Sequence, residues 1–121
     1  MRRDRRSLIR EYKDTPRPAG VYRVHNTKSG RSLVGSSANL PGILNRHRFA
    51  LENGSHLDKE LQADWNKLGE AAFEFEVLDE LDLHDDPGFD PTDDLSVLRR
   101  MWTEKLVASG VRLYKESFRG L

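Results

Sequence analysis

Two short runs of extended-favouring residues, Gly20 to His25 and Arg31 to Gly35, flank the polar cluster Asn26-Thr27-Lys28-Ser29-Gly30. Such a pattern predicts two short antiparallel strands joined by a polar turn. A lone hairpin is marginal in water, so this feature obliges the following chain to cover it. That chain reads as helical. Asn39 suits an N-cap, and Pro41 suits the first turn, where a missing N–H costs little. Leu40, Ile43, Leu44, His47 and Leu51 then fall on one helical face, and Asn53-Gly54 is a stop signal.

The pattern continues to the C-terminus. Ser55 can cap a second helix to about Leu68, with Leu57, Leu61, Trp65 and Leu68 inward and Gly69 ending it. Phe73, Phe75 and Val77 alternate with Glu74 and Glu76, which predicts a half-buried strand with an acidic outer face. Asp82 to Asp93 reads as a loop carrying Pro87 and Pro91. Asp93 or Asp94 then caps a third helix with Leu95, Leu98, Trp102 and Leu106 inward, Gly110 stops it, and Val111 to Tyr114 form a last short strand. The expectation is an α/β domain: a small mixed sheet, made of the hairpin and a central strand, flanked by three to four helices. It should span residues 19–115. Residues 1–18 read as a basic arm or short helix, broken by Pro16 and Pro18, and residues 116–121 as a tail.

A chain of 121 residues suits a single domain. The absence of cysteine excludes disulfides, thiolate zinc sites and a catalytic thiol, and is consistent with an intracellular setting. No apolar run approaches the roughly 20 residues of a membrane span, and the basic N-terminus lacks the apolar stretch of a signal peptide. A cytoplasmic protein without a membrane partner is expected, associated with the nucleoid if it binds DNA. The formal net charge of zero hides a strong polarity. Residues 1–56 carry twelve Lys or Arg against four Asp or Glu, residues 57–98 carry two against fourteen, and residues 99–121 carry six against two. A basic N-terminal part suits a phosphate-bearing partner, and an acidic middle suits a solvated face turned away from it.

Gly20-Val21-Tyr22, a polar turn and Leu33-Val34-Gly35 are followed by a helix carrying Arg46-His47, the turn Gly54-Ser55-His56 and the helix segment Leu61-Gln62-Ala63-Asp64-Trp65-Asn66. This order resembles the GIY-YIG nuclease family over residues 19 to about 81, and more weakly through the Trp102 helix to Tyr114. The resemblance implies a small sheet flanked by helices and cleavage of DNA phosphodiesters with one divalent metal. It also implies roles for single positions. Tyr22 matches the first-motif tyrosine, near the base role, and His47 matches the helix histidine. Leu33 stands where the second motif usually has tyrosine, and Ile43 where a phosphate-facing arginine is expected. Arg99 stands where a metal-binding glutamate is expected, and Lys115 where a supporting asparagine is expected.

These departures point away from the usual chemistry. A divalent ion beside an arginine meets repulsion in place of a ligand, and a lost helix arginine removes fixed charge from the transition state. No metal ligands are therefore assigned; Mg²⁺ or Mn²⁺ enters only if the protein is an active nuclease. Tyr22 and His47 are the candidate catalytic residues. Arg23, Lys28, Arg31, Ser36, Arg46, Arg48, Arg99 and Lys115 are the candidate nucleic-acid contacts. The bland alternatives are an edge-packing Tyr22, a satisfied core His47, a turn or cap role for His56, and ordinary surface charges. Trp65 and Trp102 read as core anchors. The expected function is binding of nucleic acid, DNA first, on a nuclease scaffold with an altered phosphodiesterase site. The alternatives are an active metal-dependent endonuclease with a non-standard site, and an interaction or homodimerisation module without catalysis.

Overall fold

The computed structural model describes residues 18–81 and 90–118. The N-terminal arm, most of the Asp82–Asp93 loop and the last three residues lie outside them. Strand β1 (Ala19–Asn26) is the middle of a three-stranded sheet of order β2-β1-β3, antiparallel to β2 (Ser32–Ser37) on one side and β3 (Phe73–Leu81) on the other. Between β2 and β3 come α1 (Leu40–Glu52) and α2 (Lys59–Leu68), and after β3 comes α3 (Thr92–Ala108). Short 3₁₀ turns occupy Glu70–Ala72 and Lys115–Phe118. Among the described residues no helix is long and apolar enough to cross a membrane.

Register decides which side chains share a face. Tyr22 lies opposite Gly35 and Val77, and Val24 opposite Leu33 and Phe75. Alternation then puts Tyr22, Val24, Leu33, Phe73 and Phe75 on one side of the sheet, and Val21, Arg23, Val34 and Glu76 on the other. The first face meets Leu40 and Leu51 of α1 and Leu61 and Trp65 of α2, all buried in one cluster that also holds Tyr114. Each fully buried leucine there contributes about 2 kcal/mol. A bulge between Val21 and Tyr22 in the β1–β3 pairing returns Asp79 to the second face, opposite Val21. There α3 packs on β1 and β2, and the Trp102 indole N–H donates to Asp79 Oδ2 at 3.0 Å.

The outer edge of β2 is closed by the C-terminal segment. Ser32 N donates to the Arg112 carbonyl at 3.0 Å, Tyr114 N to the Ser32 carbonyl at 2.8 Å, and Val34 N to Ser117 Oγ at 2.9 Å. The last strand expected over Val111 to Tyr114 is thus one parallel bridge, Ser32 to Leu113. It stops because the Ser117 hydroxyl, at the next turn, takes the place of main-chain pairing. This bridge is the parallel component of an otherwise antiparallel sheet. Ser117 is wholly buried, so the packed body reaches past residue 115.

Other expectations shift locally. Helix α2 starts at Lys59, not at Ser55, because Asp58 accepts from Leu61 N at 3.0 Å and caps it. Leu57, expected inward, is 71% exposed in the turn before that cap, and Leu68, the last residue of the helix, is 39% exposed. Helix α3 begins at Thr92, whose backbone N–H and hydroxyl both bond Asp90 Oδ1, while Asp93 and Asp94 fill the first turn.

A buried polar knot ties the hairpin to α2 and the C-terminal segment. Asn26 Oδ1 accepts from Lys28 N and Ser29 N across the turn, and its Nδ2 donates to the Tyr114 hydroxyl at 3.1 Å. That hydroxyl donates to Asp64 Oδ2 at 2.6 Å. Burial, then the neighbouring carboxylate, push the phenol up to about 12, so it remains a donor at neutral pH. Tyr114→Phe leaves Asp64 and Asn26 short of a partner, and is expected to lower stability by about 1–3 kcal/mol in urea unfolding without altering the fold.

Candidate functional site

The site begins with a glycine. A Cβ on Gly35 would overlap the Tyr22 hydroxyl and ring end, so only glycine lets the phenol lie across β2 at this register. The Tyr22 hydroxyl then meets His47 Nε2, on α1, at 2.7 Å. His47 Nδ1 meets His56 Nε2 at 2.8 Å, and the two imidazoles stack with centroids 5.0 Å apart. His56 is held in turn. Its backbone N–H donates to Gln62 Oε1 at 3.0 Å, and its Nδ1 accepts from the Asp58 backbone N–H at 2.9 Å. Asp58 is buried and also takes the Glu116 backbone N–H on Oδ2 at 2.9 Å.

Tyr22, His47 and His56 line an open cavity of about 430 Å³. Arg46 enters it from α1, Arg99 from α3 and Glu116 from the C-terminal turn, while Leu33, Ile43, Ala50 and Leu57 supply apolar wall. Burial raises the Tyr22 phenol to about 12, against the opposing pull of Arg99. Burial, then the charges of His56 and Arg46, lower His47 to about 4. Burial also lowers His56, with Asp58 and Glu116 favouring its charged form. Arg99 is lowered by its own burial. At neutral pH the site is therefore a neutral phenol and two neutral imidazoles beside guanidinium groups.

The expected residues separate into two groups. Tyr22, His47, Arg46 and Arg99 converge on the cavity. The others do not line it. Arg23 bonds Glu76 at 2.9 Å on the opposite face of the sheet. Arg31 bonds Glu60 at 2.7 Å and lies 4.2 Å over the Tyr114 ring. Arg48 lies over Phe75 at 4.3 Å and 3.9 Å from Glu70. Lys28 is exposed at the hairpin tip, Ser36 faces away beside Val21, and Lys115 is exposed next to Glu116. His56 and Glu116 were not among the expected residues. His56 carries one sequence signal, its place in the Gly54-Ser55-His56 turn just before the Asp58 cap. Glu116 carries none, since it reaches the cavity only through the tertiary contacts of a segment read as tail.

No family model matches the chain, and no curated protein matches it. Two solved structures do. One is the catalytic domain of the homing endonuclease I-TevI, with 26% identity, a TM-score of 0.63, and coverage of 78% of this chain and 96% of that one. The other is a single-site mutant of the catalytic domain of the same intron endonuclease, also at 26% identity and TM-score 0.63, covering 81% of this chain and 92% of that one. The chain has the GIY-YIG nuclease fold. Leu33, Ile43 and Arg99, three of the four positions where the expected pattern is broken by an apolar residue or a cation, line the cavity with Tyr22 and His47, whereas the fourth, Lys115, does not.

The donor set of this cavity does not suit a divalent ion. Both nitrogens of both histidines are engaged in hydrogen bonds, which leaves no imidazole lone pair for a metal. Among the described residues Glu116 is the single carboxylate in the lining, and Arg99 adds repulsive charge. Among the described residues no three His, Asp or Glu converge as ligands.

The lowered histidine has a consequence for stability. Folded His47 titrates near 4 and the unfolded residue near 6.5, so between these values the unfolded chain binds more protons. Stability contributed by the neutral ring is present above pH 6.5 and is lost as pH falls towards 4. His47→Gln, which cannot take up that proton, is expected to lose about 2 kcal/mol less than the wild type between pH 7 and pH 4.5, less than the full linkage value because the ring is partly open to the cavity. Urea titrations of both chains at a series of pH values measure this.

Proposed function

We propose that this GIY-YIG domain binds nucleic acid, DNA first, and that its cavity grips phosphodiester oxygens in place of cutting the ester by the usual metal-dependent route. The observation that carries this reading is Arg99, which shares one cavity with Tyr22, His47 and Arg46. A guanidinium there exchanges a metal-holding group for a phosphate-holding one, and its planar fork suits two oxygens at once. The fold likeness to an endonuclease catalytic domain supports nucleic acid as the partner. The test is a titration of duplex DNA at several salt concentrations. Binding is expected to weaken steeply with salt, and Arg46→Ala or Arg99→Ala should each reduce the slope of log K against log salt by about 1. Absence of binding at low salt would sink the proposal.

A second reading, an active endonuclease with a non-standard site, draws on the intact Tyr22–His47 hydrogen bond. Plasmid DNA incubated with the pure protein and Mg²⁺ or Mn²⁺ decides between the two. The binding reading expects the supercoiled form to persist. Nicking that disappears in both Tyr22→Phe and His47→Ala would establish the nuclease.

A further inference from the structure

The hydrogen-bond chain through Tyr22, His47 and His56 has a direction, and it is set at its far end. The Asp58 backbone N–H donates to His56 Nδ1 at 2.9 Å. An amide nitrogen can only donate, so that ring nitrogen carries no proton, and a neutral His56 carries its proton on Nε2. His56 Nε2 lies 2.8 Å from His47 Nδ1, which must therefore accept. His47 then carries its proton on Nε2, 2.7 Å from the Tyr22 oxygen. Reversing any one link sets two N–H groups face to face, either at His56 and Asp58 or between the two rings. Charging either ring does the same, in keeping with the lowered proton affinity that burial gives both.

The Tyr22 oxygen is thus an acceptor within the chain, and its own proton is not used there. Among the described residues His47 is the hydrogen-bond partner of that hydroxyl, and Tyr22 lines the cavity. Arg46 and Arg99, which line the same cavity, are donors without acceptor atoms. We infer that the Asp58 amide, His56 and His47 form a one-way relay that makes Tyr22 a hydrogen-bond donor into the cavity, where it acts with Arg46 and Arg99 on an acceptor-only oxygen of a phosphodiester. His47 and His56 are positioning residues that act through Tyr22. The choice of ligand rests on the nucleic-acid reading above, while the polarity of the relay does not.

The two parts are tested separately on the full chain. Long-range proton–nitrogen correlation spectra of nitrogen-15-labelled protein at neutral pH report which imidazole nitrogen is protonated. Both His47 and His56 are expected as the Nε2–H tautomer, and an Nδ1–H tautomer at either overturns the relay. Fluorescence anisotropy with a short labelled DNA duplex at low salt then reads its use. Tyr22→Phe keeps the ring and removes the proton; it is expected to weaken binding about tenfold or more, the loss of one hydrogen bond to a charged oxygen, with both tautomers unchanged. Equal binding by wild type and Tyr22→Phe overturns the donor role. Failure of the wild type to bind overturns the nucleic-acid reading and the hydroxyl's ligand with it, and the nitrogen shifts still decide the relay.

Discussion

The position of the Tyr22 ring over Gly35 is the constraint on which the rest of the site depends. Tyr22 sits on β1, the strand hydrogen-bonded on both edges, so its backbone cannot shift without breaking two ladders. Its side chain has room across β2 only because Gly35 has no Cβ. The hydroxyl therefore arrives at a fixed point, and α1 is placed to meet it with His47. The close approach of Gly20 to the Asp79 carbonyl plays the matching part on the other edge, where a Cβ would push β3 away. Both glycines serve contact between neighbouring strands, not turn geometry.

Asp58 links the stability of the fold to the chemistry of the cavity. One residue caps α2, anchors the C-terminal turn through the Glu116 amide, and sets the proton on His56 with its own amide. Substituting its side chain would disturb packing and site together. The relay itself is directed by a main-chain group, which no side-chain substitution other than proline removes. A neutral relay also fits a site surrounded by cations. A protonated histidine beside Arg46 would add repulsion to the desolvation that already disfavours it.

Charge segregation along the chain gave an incomplete picture of charge on the surface. The basic N-terminal half predicted one broad basic face. In the fold, the antiparallel pairing of β1 with β3 sets Arg23 against Glu76, and the packing of α2 by the hairpin sets Arg31 against Glu60. Acidic residues from the middle of the chain thus neutralise part of the basic segment. Arg46 and Arg99 lie where α1 and α3 border the cavity, with Glu116 in the same lining. Exposed pairs of the first kind contribute little to stability. Their effect here is to leave the cavity as a local cationic site in place of a continuous stripe.

The hairpin, the helix from Leu40, the Phe73 strand and the Trp102 helix were legible because local rules govern them: alternation in strands, a repeating apolar face in helices, and Asn, Pro and Gly at their ends. The order of these elements, with Tyr22 and His47 among them, also carried the likeness to a nuclease scaffold. The start of α2 was misplaced because two residues, Ser55 and Asp58, could each cap it, and only the second is held by a buried neighbour. His56 and Glu116 could not be assigned from spacing, since their roles come from contacts between segments far apart in the chain. Sequence alone determined that a tyrosine on a hairpin strand and a histidine on the next helix would be available, and that an arginine would stand where the resemblance expects a carboxylate. Tertiary structure alone decided that Arg99 shares a cavity with them, that Arg23, Arg31 and Arg48 are drawn off elsewhere, and that the hydrogen bonds run towards Tyr22. The physical reason is that proton direction and charge pairing depend on distances of about 3 Å between groups that only the folded chain brings together.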